Sequence, residues 1–130
     1  MDASNTNTSL FNTIIDNIED GVYFVDTTRR IQLWNGAADN ITGYSNEDMI
    51  GHYCQDNLLN HVDQDGKPLC QVGCPLYATM NDGQSRQADV LLRHKSGHRL
   101  PVQVQTHPVY RDGEIVGALE IFARRNNVRY

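Results

Sequence analysis

The stretch that decides the fold is DGVYFVD at residues 20–26, followed by IQLWN at 31–35 and GAADNITGY at 36–44. Its two short apolar runs flank a polar turn, which predicts a β-hairpin with strands at 22–26 and 31–34. Asn35 can cap the helix that follows, and Gly43 can end that helix because glycine adopts the left-handed backbone at little cost. We therefore expect a hairpin that leads directly into a short helix.

The rest of the chain adds two more helical segments and three strands. The capping box Ser45-Asn-Glu-Asp48 predicts one helical turn, and Pro75 suits the first position of a helix that ends at Gly83. Downstream, apolar residues alternate with polar ones, and the turn signals Ser96-Gly97 and Asp112-Gly113 separate three strands. Pro101 has no amide hydrogen to donate, so its strand is expected at an edge of the sheet or bulged at that position. These patterns predict an α+β fold with a five-stranded antiparallel sheet and helices packed on one face.

The N-terminal segment divides into two parts. Residues 1–8 are polar and without periodicity, which predicts a disordered lead-in. Residues 9–19 are predicted to form an amphipathic helix with Ser9 as its N-cap. Its apolar residues at helical spacing are Leu10, Phe11, Ile14, Ile15 and Ile18. This apolar stripe can pack on the sheet of its own chain or on a second copy of the chain.

The composition is that of an ordinary globular domain. The chain has 130 residues, of which 39% are hydrophobic, and a formal net charge of −5. No apolar run approaches the roughly 18 residues that a membrane span needs, and the N-terminus lacks a secretory signal, so we expect a cytoplasmic protein without a membrane segment. The basic residues are scattered singly, which argues against nucleic-acid binding. We expect the main domain at residues 20–124 and the start of a linker at 125–130.

Two segments carry a resemblance to a known family. The first is the opening stretch continued as SNEDMIG to residue 51, and the second is DVLLRHKSGHRLPVQVQTHPVYRDGEIVGALEIF at 89–122. Together they resemble the PAS (PAS/PAC, S-box) sensory domain over nearly the whole chain. The resemblance implies a curved five-stranded antiparallel sheet whose helices enclose a small cavity. It also implies a sensory role, in which a small ligand, cofactor or partner alters the sheet and a segment after the last strand relays the change.

The segment before the predicted helix at Pro75 narrows the resemblance. It contains HVDQDGKPLCQVGCPL at residues 61–76 and is similar to PAS modules placed ahead of diguanylate cyclase or histidine kinase domains in bacterial signalling. The resemblance therefore implies an output domain in the same parent chain, and we expect a homodimer. The sequence contains no Walker loop, GxGxxG or GxSxG motif, so we expect no enzymatic activity from this segment itself.

All three cysteines lie in or beside this segment, at Cys54, Cys70 and Cys74, with His61 between them. Three thiolates and one imidazole are an accepted ligand set for structural zinc, and an iron site could use the same residues. Alternatively, Cys74 at a helix N-terminus would have a stabilised thiolate, which suits a redox-sensing thiol. Packing of three half-buried cysteines without any chemistry is the third interpretation, and all three remain open.

The resemblance also bears on haem and flavin. Haem-binding PAS domains usually carry a histidine on the helix after the loop, and residues 75–81 contain none. Light-sensing flavin domains of the family carry asparagine-cysteine-arginine where this chain has Tyr53-Cys54-Gln55. We therefore expect neither haem nor a photoactive flavin, and the identity of any cofactor stays unknown.

Apolar residues at strand and helix positions are the candidates for lining an interior ligand pocket, although the same residues could form plain core. On pattern alone the predicted lining set is Phe24, Ile41, Tyr44, Leu59, Tyr77, Met80, Leu92, Val104 and Leu119. An occupant would favour one packing of the helices on the sheet, and the change would leave through the last strand and the N-terminal helix. The alternatives are a metal- or redox-responsive switch at the cysteines and a ligand-free dimerisation module.

Overall fold

The computed structural model describes residues 3–53, 59, 61–63, 65–68 and 74–124, with residues 3–9 described by their backbone alone. The predicted ligands Cys54 and Cys70 lie outside the described residues. In chain order the elements are α1 (Ala3–Asp16), β1 (Gly21–Asp26), β2 (Ile31–Trp34), α2 (Gly36–Thr42), α3 (Asn46–Met49), α4 (Pro75–Asp82), β3 (Arg86–Arg93), β4 (Arg99–Arg111) and β5 (Glu114–Arg124). Within the described ranges, no helix has the length and apolar character to cross a membrane.

The five strands form one antiparallel sheet in the order β2-β1-β5-β4-β3, as the alternating patterns predict. The chain leaves the sheet at one edge after β2 and re-enters it at the other edge with β3. The last strand therefore lies in the middle, hydrogen-bonded to β1 on one side and to β4 on the other. Strand β5 therefore contacts both halves of the sheet directly.

Strand alternation decides which residues of the central strands face the helices. On β5, Ala118, Glu120 and Phe122 are buried on this inner face. On β1, the inner face carries Tyr23 and Val25, which are also buried. The rings of Tyr23 and Phe122 lie at 5.5 Å and 6.3 Å, respectively, from the ring of Trp34, so that three aromatic side chains occupy the centre of the core. The helices α2, α3 and α4 supply the other wall through Ala38, Ile41, Met49, Leu76 and Met80.

The predicted ends of helices α2 and α3 are confirmed. The Asn35 side chain accepts a hydrogen bond of 2.9 Å from the Ala38 amide, and Gly43 follows the helix with a φ of 82°. At α3, the Ser45 hydroxyl accepts from the Asp48 amide while the Asp48 carboxylate accepts from the Ser45 amide, which completes the capping box. These caps satisfy amides that no helical carbonyl can reach.

Helix α4 begins at Pro75 and is closed by Gly83, as its sequence predicts. Its end is tied to the following strand by an ion pair between Asp82 and Arg86. Hydrogen bonds from the Arg86 guanidinium are the main cause that lowers the pKa of Asp82 to about 2. Inside the domain, the hydroxyls of Thr79 and Thr106 lie 2.7 Å apart and join α4 to β4. Helix α4 is therefore held against the sheet at its C-terminal half.

Helix α1 differs from its predicted bounds, because it begins at Ala3 and not at Ser9, and its regular part ends at Asp16. Periodicity detects apolar residues on one face, so it carries no signal for a helical segment made of polar residues. The side chains of Leu10, Phe11 and Ile14 are each more than half exposed. The helix therefore does not bury its apolar stripe on its own sheet.

Strand β4 also differs from expectation. A proline within a strand predicts an edge position or a bulge, since proline has no amide hydrogen. Strand β4 is instead an inner strand, and its irregularity lies between Val109 and Tyr110. The pairing with β5 starts only at Val102, opposite Arg124, so Pro101 lies just beyond the described end of that ladder. The missing amide hydrogen is tolerated there because the described part of β5 does not extend opposite it.

Candidate functional site

A small cavity lies inside the domain, where α4 and the segment before it meet the inner face of the sheet. Its volume is about 10 Å³, which is room for about one water molecule. The polar side chains in its walls are Tyr23, His61, Cys74 and Glu120. The apolar side chains are Pro75, Leu76, Val90 and Val104.

Glu120 is the polar centre of this cavity. It lies on the inner face of β5 between Ala118 and Phe122, and only 4% of its surface is exposed. Among the residues that the structure describes, none donates a hydrogen bond to its Oε2 atom. The His61 imidazole forms an ion-pair contact with it, with Nε2 at 3.4 Å from Oε2. A carboxylate in an apolar interior is unfavourable unless it is paired, so this contact decides how much the burial of Glu120 costs.

His61 reaches the cavity because its segment is fastened to the edge strand β3. The Val62 amide donates to the Leu91 carbonyl at 2.8 Å, and the Leu91 amide donates back to Val62 at 2.9 Å. Two residues before His61, the Leu59 carbonyl accepts from the Arg93 amide at 2.6 Å. The backbone on both sides of His61 is thereby fixed, and its ring is directed towards β5.

Two further polar groups border the same cavity. Tyr23 lies opposite Glu120 in the ladder between β1 and β5, and its hydroxyl oxygen is buried. Cys74 precedes helix α4, is half-buried and does not cap the helix with its side chain. A phenol, an imidazole, a carboxylate and a thiol therefore line one cavity.

The predicted pocket residues fall into two groups. Val104 borders the cavity, and the others buried in the same core are Ile41, Tyr44, Leu59, Met80 and Leu92. The structure does not bring Phe24, Leu119 and Tyr77 to this cavity. Phe24 and Leu119 pair with each other on the opposite face of the sheet. Successive side chains of a strand point to opposite faces, and these two residues are neighbours of inward-facing ones. Tyr77 is 48% exposed, and its ring lies 4.7 Å from the Arg29 guanidinium carbon.

Glu120 and Tyr23 are functional candidates that the reading of apolar patterns missed. The sequence did contain a signal for Glu120. It alternates with Ala118 and Phe122 along one strand, so it lies on the same face as these two apolar residues, where another apolar residue is expected. For the predicted metal set, His61 and Cys74 border the same cavity, whereas Cys54 and Cys70 lie outside the described residues. Among the residues that the structure describes, no three His, Cys, Asp or Glu side chains are grouped as metal ligands.

A much larger cleft of about 620 Å³ lies where α1 ends, α2 begins and β5 leaves the sheet. It is open to solvent and is bordered by Asp16, Glu19, Asp20 and Arg124, together with uncharged residues that include Ile41. Its volume exceeds that of the interior cavity, but exposed charges are solvated by water and need no ligand. The interior cavity is therefore the better candidate site, because its carboxylate is removed from water.

Comparison with known proteins is consistent across two methods. A family model described as the PAS fold matches residues 15–129. The chain is similar to the PAS domain of a protein from Colwellia psychrerythraea, with 22% identity, 91% of this chain and 96% of that chain covered, and a TM-score of 0.73. It is similar to a PAS domain from a two-component sensor histidine kinase, with 15% identity, 94% and 99% covered, and a TM-score of 0.72. No curated protein gave a significant match.

The Rhodobacter sphaeroides LOV protein is also similar, with 16% identity, 99% of this chain and 71% of that chain covered, and a TM-score of 0.75. At this identity the likeness concerns the fold alone. Because a LOV protein shares this fold, the fold itself gives no reason to expect that a flavin is absent. The prediction against a photoactive flavin therefore depends on residues 53–55, of which Cys54 and Gln55 lie outside the described residues, and it stays a prediction.

Proposed function

Because this chain belongs to the PAS fold family, we propose that it is the sensory module of a signal-transduction protein and that the cavity beside Glu120 receives the signal. The family and the similar domain from a sensor histidine kinase support the sensory role. The observation that carries the choice of site is the buried carboxylate on the central strand, 3.4 Å from His61. The output domain, in the cytoplasm and on the same parent chain, is part of the proposal.

The position of Glu120 supports a direct route for the signal. In the sheet it lies opposite Tyr23 of β1 and opposite Thr106 of β4. Through His61 it also contacts the segment that is fastened to the edge strand β3. Occupation of the cavity would change the contact between Glu120 and His61, and so favour one arrangement of that segment over another. Strand β5 would carry the change towards Arg124, where the described chain leaves the sheet.

Exchanging Glu120 for glutamine tests this route with almost no change in side-chain volume. Glu120→Gln removes the charge that holds His61, so we expect faster hydrogen–deuterium exchange at the Val62 and Leu91 amides and in the middle of β5. The matched control is Glu114→Gln, which removes a charge from an exposed position on the same strand. If both variants exchange like the wild type, Glu120 does not couple the segment to the sheet, and the proposed route is wrong.

We also propose that the module forms a homodimer through α1. Its stripe of Leu10, Phe11 and Ile14 is exposed, and contiguous apolar surface of this kind usually marks a contact site. A second copy of the chain presents the same stripe, so a two-fold contact buries both stripes at once. Helix α1 is linked to β1 through Asn35, since the Asn35 amide group donates to the Ile15 carbonyl at 3.0 Å and its oxygen accepts from the Val22 amide at 2.9 Å.

Placing a charge in the stripe is expected to separate the dimer. Ile14→Asp would bury two carboxylates in the contact, and we expect sedimentation velocity to give a monomer at micromolar concentrations where the wild type is dimeric. The control Asn12→Asp introduces the same charge on the same helix at another exposed position outside the stripe. A wild-type chain that is monomeric at these concentrations, or equal dissociation by both variants, would contradict the proposal.

Two other functions are kept as alternatives. A metal- or redox-responsive switch at Cys54, Cys70 and Cys74 is favoured by one observation, which is that Cys74 and His61 border the same cavity. A ligand-free dimerisation module would need α1 but not the cavity. It predicts that Ile14→Asp separates the dimer while Glu120→Gln leaves hydrogen exchange unchanged, so the two experiments above distinguish it from a sensor.

A further inference from the structure

We propose that the contact between Arg29 and Tyr77 is a latch, which holds the first turn of α4 (residues 75–78) closed over the interior cavity. The inference rests on the proposed function, because it concerns access to the same cavity. Three observations carry it. They are the backbone conformation of Arg29, the contact of its side chain with Tyr77, and the way in which α4 is attached to the sheet.

Arg29, in the turn between β1 and β2, has a backbone conformation that an arginine rarely adopts. Its φ is 70°, in the left-handed region that favours glycine or asparagine. The turn is fixed by Asp26, whose carbonyl accepts from the Arg29 amide at 2.9 Å. The Asp26 carboxylate also accepts from the Thr28 amide at 2.9 Å and from the Arg30 amide at 3.1 Å. A backbone conformation of this kind persists only where the surrounding structure enforces it.

From this turn the Arg29 side chain reaches the outer surface of α4. Its guanidinium carbon lies 4.7 Å from the centre of the Tyr77 ring. A cation within about 6 Å of the centre of an aromatic ring is attracted by the electrons of its face. Glycine or asparagine would fit the turn with less strain, but neither carries a cation. The cation–π contact therefore gives a physical reason for an arginine at this position.

Helix α4 is attached to the sheet by polar contacts at its C-terminal half. The hydroxyls of Thr79 and Thr106 lie 2.7 Å apart. Asp82 and Arg86 form an ion pair that ties the end of α4 to β3. The first turn instead contacts the turn between β1 and β2, through Tyr77. The two halves of α4 are held by different parts of the chain, so the first turn can move while the second half stays in place.

The first turn is also the part of α4 that borders the cavity. Pro75 and Leu76 line the cavity, together with Cys74 immediately before the helix. The cavity of about 10 Å³ has room for about one water molecule. A larger ligand therefore requires the first turn to move outward, and this movement separates Tyr77 from Arg29. The latch thus sets how often the cavity can admit a ligand.

The experiment measures how fast N-ethylmaleimide alkylates Cys74 in the 130-residue chain, with the modified peptide identified by mass spectrometry. We expect Tyr77→Leu and Arg29→Asn each to raise this rate about two- to fivefold, because each removes one side of an exposed cation–π contact. Tyr77→Phe keeps a ring and Arg29→Lys keeps a cation, so these matched controls should react at close to the wild-type rate. The double variant Tyr77→Leu with Arg29→Asn should react no faster than either single variant, since both act through one contact.

Amide hydrogen exchange tests the movement without thiol chemistry. The Ala78 amide donates to the Cys74 carbonyl at 3.1 Å and closes the first turn of α4. At the other end of the helix, the Gly83 amide donates to the Thr79 carbonyl at 2.8 Å. Removal of the latch should accelerate exchange at Ala78 by the same two- to fivefold factor and leave Gly83 unchanged.

Urea unfolding, followed by the fluorescence of Trp34, separates this local movement from global unfolding. Arg29→Asn should be at least as stable as the wild type, because asparagine fits the left-handed region better than arginine does. If Tyr77→Leu destabilises the whole domain, Arg29→Asn with its control Arg29→Lys carries the test.

Equal alkylation of Cys74 in Tyr77→Leu and Tyr77→Phe, or equal acceleration of exchange at Ala78 and Gly83, would overturn the inference. The result is separable from the proposed function. If removal of the latch leaves Cys74 unchanged but Glu120→Gln alters hydrogen exchange in β5, the route from the cavity stands and the latch is wrong. If removal of the latch exposes Cys74 but Glu120→Gln changes nothing, the latch stands and the sensory route fails.

Discussion

Replacing Asn35 by alanine is expected to destabilise the domain by about 3 kcal/mol. The side chain is 2% exposed and joins three elements through four hydrogen bonds. Its oxygen accepts from the amides of Val22 and Ala38, both at 2.9 Å. Its nitrogen donates to the carbonyls of Ile15 at 3.0 Å and Asp20 at 3.1 Å.

The magnitude follows from two separate losses. Removal of a helix N-cap costs about 1 kcal/mol, and a buried amide left without an acceptor, here that of Val22, costs about 1–3 kcal/mol more. Asn35→Asp keeps the acceptor but loses both donated bonds, so we expect an intermediate loss. Because Asn35 connects α1 to the sheet, its loss should also weaken the link between the proposed dimer contact and the cavity.

Urea unfolding measures this prediction through Trp34, which is the single tryptophan of the chain and is buried beside the core rings. The control is Asn40→Ala, which removes an exposed asparagine from the same helix and should change the free energy of unfolding by less than about 0.5 kcal/mol. An Asn35→Ala variant that unfolds within that margin of the wild type would show that Asn35 does not organise the junction.

The second large effect is expected at Gly117, where alanine should cost about 3 kcal/mol. A Cβ atom at this position would lie 2.1 Å from the Val25 carbonyl oxygen and 2.6 Å from the Phe24 ring. The ring can move, but the carbonyl oxygen belongs to the backbone of β1. The contact can therefore be relieved only if β5 shifts relative to β1, which disturbs the ladder that contains Glu120.

Gly36→Ala is the matched control for Gly117→Ala. The nearest atom to its Cβ would be Asp16 Oδ1 at 3.8 Å, an ordinary contact distance. Alanine is favoured over glycine in a helix by up to about 1 kcal/mol, so this variant should be neutral or more stable. Equal stability of Gly117→Ala and Gly36→Ala in urea unfolding would contradict the proposed close approach of the two strands.

The fold was largely predictable because its signals are local. Asn35 caps an amide only three residues away, and Gly43 and Gly83 each end a helix through their own backbone conformation. The alternation in β3, β4 and β5 likewise extends over neighbouring residues. The start of α1 was missed because its first residues are polar, and the inner position of β4 was missed because Pro101 informs only about its own missing amide hydrogen.

The site was much less predictable. Hydrophobicity selected Phe24 and Leu119 as pocket residues, but their phase in the strands directs them to the other face of the sheet. A sequence shows which residues of a strand share a face. Whether that face is the inner or the outer one is known only when the partners in the sheet are known. The same reasoning identifies Glu120 as an inward-facing residue, because it lies on the same face of β5 as Phe122.

The sequence by itself determined the family, the caps, the turns and the five-stranded antiparallel sheet, because each depends on residues a few positions apart. The tertiary structure alone decided that Glu120 meets His61. These residues are 59 positions apart, and they are in contact because β5 lies in the centre of the sheet while the His61 segment is bonded to the edge strand β3. No local pattern encodes such a contact, since it depends on strand order and on the packing of α4 against the inner face.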